Sequence, residues 1–355
     1  MKNILKKSMV LFLALGVMLT ACKGKESKKA LENKEEKKLK VVTTIFPEYD
    51  LTRAVAKDKV DLKMIIKPGV DVHSFSPSPQ DIKEIESSDV FIYGGTEHDK
   101  WVEPLTKNID FKNKKVVKLL DCVKQLEEET VEGMKEEDED HDHEKEHEHE
   151  HEHEQNHEDK KGDEKENKDK KDEHNDEDEK EIDPHYWTSV KNAILMVKNI
   201  EKNLSQKDPK NEKFYKENAK NYIEKLEKVD KDLHDVVDNA KRKKIVIADR
   251  FPFRYLFDDL HLEYRALFSG CSVESNASAA QVKQMEDYIK ENNIPVVYHI
   301  EMGKGDMAKA IAKDMNIKVM VLNSIHTVTK DEFDKGITYV DLMQQNVKAL
   351  KEGLN

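Results

Sequence analysis

Residues 40–79 read KVVTTIFPEYDLTRAVAKDKVDLKMIIKPGVDVHSFSPSP, and the order of signals within them decides the fold. Lys40–Thr44 is a short apolar run stopped at Phe46-Pro47, the pattern of a buried strand. Leu51, Ala54 and Val55 then fall on one helical face. Val60–Ile66 reads as the next strand, ended by Pro68-Gly69, and Ser78-Pro79 places an N-cap before a first-turn proline, leading into Ile82 and Ile85. Strand, helix, strand, helix is a βαβ pattern, and it requires a parallel sheet.

Outward from this stretch the pattern continues. Val90–Tyr93, closed by Gly94-Gly95, and Val116–Leu119 are further strands. A second half repeats the arrangement, with strands expected at Ile245–Ala248, Leu262–Leu267, Ile294–Tyr298 and Val319–Leu322 and helices at Ser278–Asn292 and Asp306–Met315. Between the halves lie two helical stretches broken at Asp208-Pro209. The second carries Phe214, Tyr222, Ile223, Leu226, Val229, Leu233, Val236, Val237 and Ala240 at helical spacing, about 42 Å of helix at 1.5 Å per residue. The expected fold class is therefore α/β, with two parallel-sheet lobes joined by a long helix that limits their relative motion.

The chain has 355 residues, 38% of them charged, against about 25% for an ordinary domain. The excess has one source. Glu127 to Asp183 contains 30 acidic residues and 9 lysines, whereas the rest of the chain is basic by 8, so the overall charge of −13 belongs to that segment. Net acidity argues against a nucleic-acid binder, which needs a basic footprint.

Lys2, Lys6 and Lys7 precede an apolar run from Met9 to Leu19 that is too short to span a bilayer. The run ends in Leu19-Thr20-Ala21-Cys22, which resembles the lipobox of bacterial lipoproteins, where the cysteine is lipidated and becomes the mature N-terminus; a plain secretory signal is the alternative. The expected divisions are a signal peptide over 1–21, a tether over 22–38, and an N-terminal lobe over 39–207 carrying an unfolded insert at 127–183. A connecting helix over 208–242 and a C-terminal lobe over 243–355 complete them. Cys122 and Cys271 are expected as separate thiols in different lobes.

Of 15 histidines, eight lie in the acidic segment: His141, His143, His147, His149, His151, His153, His157 and His174. Alternation with glutamate leaves nothing apolar to bury, so no fold is expected there. The literal HExxH match through His149, Glu150 and His153 has meaning only on a packed helix. What such a run offers is many imidazoles and carboxylates, a loose trap for Zn²⁺, Cu²⁺ or Ni²⁺; a solubilising linker is the bland reading. Outside it, His73 lies in the loop PGVDVHSFSPSP after a strand, where α/β proteins place ligands. His185 lies in Asp183-Pro184-His185-Tyr186-Trp187.

The PGVDVHSFSPSP loop, the DPHYW motif and the histidine-rich insert before it resemble the zinc- and manganese-binding solute receptors of bacterial ABC importers. Tyr93-Gly94-Gly95 with Trp101, Tyr215 with Asn218, and YVDLMQQN at Tyr339–Asn346 extend the resemblance over the mature chain. It implies two α/β lobes, a long backbone helix and one metal in the cleft between lobes, with two histidine ligands carried over onto His73 and His185. The second lobe departs from the pattern. Where a His or Glu commonly precedes a Phe-x-Tyr element, this chain has Ala248-Asp249-Arg250-Phe251-Pro252-Phe253-Arg254-Tyr255, and the family's late aspartate falls on Asn323. The expected ligands are His73, His185 and His326 through nitrogen and Asp249 through oxygen, with Glu301 an alternate ligand or an acceptor for an imidazole N–H. His98, between Glu97 and Asp99, reads mainly as a rim residue, and His299 as core or rim.

Three imidazoles and a carboxylate suit tetrahedral Zn²⁺ better than Mn²⁺. The expected function is capture and delivery by an exported, outward-facing, lipid-anchored monomer. The histidine run gathers metal, the cleft takes one ion, and a membrane permease accepts it. Affinity should fall below about pH 6.5 as imidazoles protonate. The rivals are a manganese receptor, a zinc-buffering surface lipoprotein or adhesin, and a zinc hydrolase.

Overall fold

The computed structural model describes residues 37–108, 111, 113–134, 181–272 and 276–355. The signal segment, Cys22, nearly all of the tether and the eight histidines of the acidic segment lie outside the described residues. The first sheet holds β1 (Leu39–Thr43), β2 (Val60–Met64), β3 (Val90–Tyr93) and β4 (Lys115–Lys118) in the order β2-β1-β3-β4. The second holds β5 (Lys244–Phe251), β6 (Glu263–Ser269), β7 (Val296–His299) and β8 (Lys318–Val321) in the order β6-β5-β7-β8. Every pairing in both sheets is parallel. The two lobes thus share one topology, as the repeated pattern predicts.

Helices α1 (Phe46–Ala56), α2 (Pro79–Ser87) and α3 (Val102–Asn108) belong to the first lobe, and α6 (Arg254–Leu260), α7 (Ala279–Asn292) and α8 (Asp306–Met315) to the second. Between the lobes run α4 (Val190–Lys207) and α5 (Glu212–Asp238), and the chain closes with α9 (Lys330–Asp334) and α10 (Tyr339–Leu354). Ser78 caps α2 as its sequence suggests, its hydroxyl accepting from the Asp81 N–H. The break at Asp208-Pro209 separates α4 from α5, since proline removes an N–H and cannot continue the preceding turn. Among the described residues, no helix is long and apolar enough to cross a membrane.

The long helix α5 buries Tyr215, Ala219, Tyr222, Leu226, Val229, Leu233 and Val237, a stripe at spacings of three and four. Its beginning is tied to the first lobe: Asn218 donates to the Val55 carbonyl at 3.0 Å and the Tyr222 hydroxyl to Asp50 at 3.1 Å. Near its end Asp232 accepts from Gln344 of α10 at 3.0 Å. Asp50 also accepts the Tyr339 N–H at 2.7 Å, joining α1, α5 and α10 at one buried carboxylate. A single hydrophobic cluster runs from Val41 and Phe91 through Leu226 and Leu233 to Tyr298 and Leu350, so the lobes share a core. A second cluster, including Val246, Leu267, Met285, Val297 and Ile311, packs α7 and α8 on the second sheet. The buried face of α5 lies within this shared core.

The acidic segment enters and leaves through ordered chain. Glu127 bridges Ile182 in antiparallel fashion, Glu128 donates to the Glu181 carbonyl at 2.8 Å, and Asp183 to that of Leu126 at 2.9 Å. Residues 127–134 then lie on the second lobe, with Glu129 near Arg254 and accepting from Tyr264, and Glu132 paired with Arg265 at 2.7 Å. The expected unfolded boundary at 127 is therefore too early, because these acids have specific basic and hydroxyl partners far along the chain. Cys122 and Cys271 are free thiols in different lobes.

Candidate metal centre

The carboxyl ends of both sheets carry the loops that build the site. His73 follows β2, His98 follows β3, His326 follows β8, and His185 ends the segment leading into α4. The lobes meet here through Gly69, whose N–H donates to Thr327 at 3.0 Å, and Trp187, whose indole donates to the Ser324 carbonyl at 2.9 Å.

Four imidazoles converge. His98 sits among the others, with ring centroids 4.5 Å from His73, 4.8 Å from His326 and 5.3 Å from His185. His326 lies 5.6 Å from both His73 and His185. One ligand nitrogen each from His73, His98 and His185 fall within 4.8 Å of one another. Tetrahedral zinc at 2.0–2.1 Å would hold its donors about 3.3 Å apart.

Chemistry favours a Lewis acid here. His98 Nδ1, His185 Nε2 and His326 Nε2 are buried without a hydrogen-bond partner, and buried polar nitrogens are rarely left so. Burial, helped by the neighbouring imidazoles and Arg250, holds His98 and His326 well below the ordinary histidine range. His73 is brought down to about 4, chiefly by burial. Neutral imidazoles have free lone pairs at physiological pH and are metal donors.

The supporting contacts explain the aim of each ring. Asp183 takes both the backbone N–H (2.8 Å) and Nδ1 (3.1 Å) of His185, fixing the ring with Nε2 facing the cluster. The sequence reading missed this acceptor, although it stands two residues ahead in the DPHYW motif. Asp71 accepts the His73 N–H at 3.1 Å. Cys271 places its Sγ 3.8 Å from His98 Nε2, but burial pushes its thiol far up and keeps it neutral.

The two expected carboxylates make other contacts in the metal-free chain. Asp249, like His326, lies outside the group of three close donors; its oxygens accept the backbone N–H groups of Arg250 at 2.8 Å and Ile300 at 3.2 Å. It falls where the pairing of β5 with β6 shifts register between Ile247 and Arg250, an irregularity that re-aims side chains. Among the described residues Glu301 accepts no imidazole ring N–H. It accepts the Ser324 N–H and hydroxyl, both at 2.6 Å, and the His326 backbone N–H at 3.3 Å. It is the clamp of the His326 loop, in which buried Ile325 is held at φ +61°. A β-branched residue there costs about 1–3 kcal/mol and needs surroundings that enforce it. Asn323 serves a similar end, its N–H donating to Asn346 of α10 at 2.7 Å. A cavity of about 260 Å³ opens beside His73 and His326, lined also by Asp71, Asp249, Arg250, Glu301 and Thr327.

Residues 41–353 match the family described as "Zinc-uptake complex component A periplasmic". The chain belongs to this family. Over 349 residues it is 32% identical to the high-affinity zinc uptake system protein ZnuA of Bacillus subtilis, covering 98% of each chain. It is 29% identical to the zinc-binding lipoprotein AdcA of Streptococcus pneumoniae, covering 98% of this chain but 60% of that longer relative. The Zn(II)-bound ZnuA-like domain of AdcA superposes with a TM-score of 0.67 at 27% identity, over 90% of this chain and 99% of that one. The two-lobed architecture of this family of solute-binding receptors is the one described above.

Proposed function

We infer that the chain is a high-affinity extracytoplasmic zinc receptor that hands Zn²⁺ to an ABC-type importer. The observation that carries this reading is the convergence of four imidazoles, His73, His98 and His185 from the first lobe side and His326 from the second, of which His98, His185 and His326 have buried, unpartnered ring nitrogens. Four nitrogen donors and no carboxylate are a zinc set; Mn²⁺ prefers oxygen. A site closed by four protein ligands also lacks the open position that a catalytic zinc keeps for water, so the reading is capture and not hydrolysis. The names of the relatives, a zinc uptake protein and a zinc-binding lipoprotein, support the same cargo.

On this reading Cys22 is the lipid attachment point, holding a monomeric receptor at the outer surface of the cell membrane near its permease. His141, His143, His147, His149, His151, His153 and His157 are auxiliary donors that raise the local zinc concentration. The test is metal analysis of the purified protein with competition between Zn²⁺ and Mn²⁺. One tightly held zinc that excess Mn²⁺ does not displace is the expected result; displacement by Mn²⁺, or absence of any tight zinc, would refute it.

A further inference from the structure

An imidazole has two nitrogens, and the partner of one decides which is left for a metal. At His185, Asp183 takes Nδ1, and Nε2 is left buried without a partner. His98 is arranged the other way round. Its Nε2 lies 3.8 Å from the sulfur of Cys271, 173 positions away in sequence, and its Nδ1 is the buried nitrogen without a partner. The residue is 6% exposed, and a buried ring nitrogen is seldom left unpaired, so Nδ1 is the atom offered to a ligand.

The second lobe brings the sulfur there. Cys271 stands in the turn after β6, where the Ser272 N–H donates to the Ser269 carbonyl at 3.2 Å. A Cβ built on Gly270 would lie 2.9 Å from His185 Cε1 and 2.9 Å from the Phe251 carbonyl oxygen, so glycine lets this turn close against the imidazoles. The Cys271 N–H is held by the Glu128 carboxylate, at the ordered root of the acidic segment. Glu128, Asp183, Glu97 and Glu181 all act on the thiol electrostatically, so the side of the His98 ring that faces Cys271 is the negative one. A neutral imidazole carries one N–H and one lone pair. That field draws the N–H to Nε2, where sulfur accepts it weakly, and leaves the lone pair on Nδ1. An acceptor on the opposite N–H also raises the basicity of the ring toward a metal. Were zinc on Nε2 instead, the sulfur would itself be in reach, because a tetrahedral ion sets nitrogen and sulfur donors about 3.6 Å apart. Against that arrangement, Cys271 lies outside the group of close donors formed by His73, His98 and His185.

We propose that Cys271 is a positioning residue of the metal centre, its sulfur accepting the Nε2–H of His98 and so turning Nδ1 to the zinc, as Asp183 aims His185 from the opposite nitrogen. The proposal rests on the four imidazoles being the zinc site. Competition titration with a zinc chelator tests it in the wild-type full chain, Cys271→Ala, His98→Ala and the double variant. Cys271→Ala should lose about 10–100-fold in zinc affinity, with the thermal midpoint of the zinc-free variant reporting that it folds. In the His98→Ala background the same change should lose nothing further, because the sulfur acts only through that ring. X-ray absorption at the zinc edge of the loaded wild-type chain should show nitrogen at about 2.0 Å and no sulfur near about 2.3 Å, and its crystal structure should place the ion on His98 Nδ1. Unchanged affinity in Cys271→Ala, equal losses with and without His98, a zinc–sulfur bond, or an ion on Nε2 would each overturn the proposal. Tight zinc in the wild type with an indifferent Cys271→Ala refutes this proposal alone; a wild type without tight zinc refutes the zinc reading and this proposal with it.

Discussion

The two lobes have the same strand order and direction, yet they equip their loops differently. In the first lobe the loops after β2 and β3 give His73 and His98, and the segment before α4 gives His185 with Asp183 behind it. In the second lobe β5 itself and the loop after β7 carry carboxylates, Asp249 and Glu301, that accept from backbone N–H groups. Only the loop after β8 sends an imidazole across, held by Glu301 and by strained backbone at Ile325. The difference teaches that one topology can serve as donor platform in one lobe and as a loop-shaping frame in the other. On the proposed reading the metal preference follows from that division, because both acids, though they line the cavity beside His73 and His326, are engaged by backbone donors.

The comparison can be broken most severely at His185. His185→Ala should weaken zinc binding by about a thousandfold or more, since it removes a donor together with the ring that Asp183 aims; isothermal titration with a competing chelator measures this. Next comes the contrast between His98 and Asp249. His98→Ala should cost about a hundredfold in zinc affinity, and Asp249→Ala no more than about threefold, with about 1 kcal/mol of stability lost from its two backbone contacts. The reverse ranking would restore the carboxylate as ligand. Glu301→Ala should lower affinity about 10–100-fold through the released His326 loop, and destabilise the zinc-free protein by about 3 kcal/mol in urea unfolding, because charge-accepting bonds to three donors are lost.

A gentler perturbation is pH. His73, His98 and His326 have folded-state values below the unfolded value of about 6.5, chiefly through burial. The unfolded chain therefore binds more protons in the window below 6.5, and stability, fully present above it, is lost as pH falls toward about 4, the value of His73. The urea midpoint of the zinc-free protein should decline between pH 6.5 and 4.5, and less steeply in His98→Ala. Least affected of all should be the tight site when residues 135–180 are deleted. Total zinc bound falls while one site of unchanged affinity remains; loss of that site would move the receptor into the acidic segment.

The sheets were legible because apolar runs such as Lys40–Thr44 and Val90–Tyr93 are bounded by proline and glycine, and buried parallel strands leave that mark. Where β5 runs on to Phe251, past the expected end at Ala248, the register shift is invisible to composition, and so was the turning away of Asp249. His73 and His185 stood out through their motifs. His98 did not, because its flanking acids suggest a solvated rim, whereas its place depends on β3 lying beside β1. The role of Glu301 was partly legible as a polar residue at the site. Its partners, Ser324 and His326, lie 23 and 25 positions away and meet it only through the neighbouring β7 and β8. The early boundary of the acidic segment failed for the same reason, since Arg254 and Arg265 lie far from Glu129 and Glu132 in sequence.

The central claim is a zinc held by four imidazoles, with His98 among them. Anomalous diffraction at the zinc edge from crystals of the zinc-loaded chain tests it most directly. The account predicts one peak about 2.0–2.1 Å from a nitrogen of each of His73, His98, His185 and His326. A peak bound to a carboxylate oxygen of Asp249 or Glu301, with His98 standing clear of the metal, would contradict it.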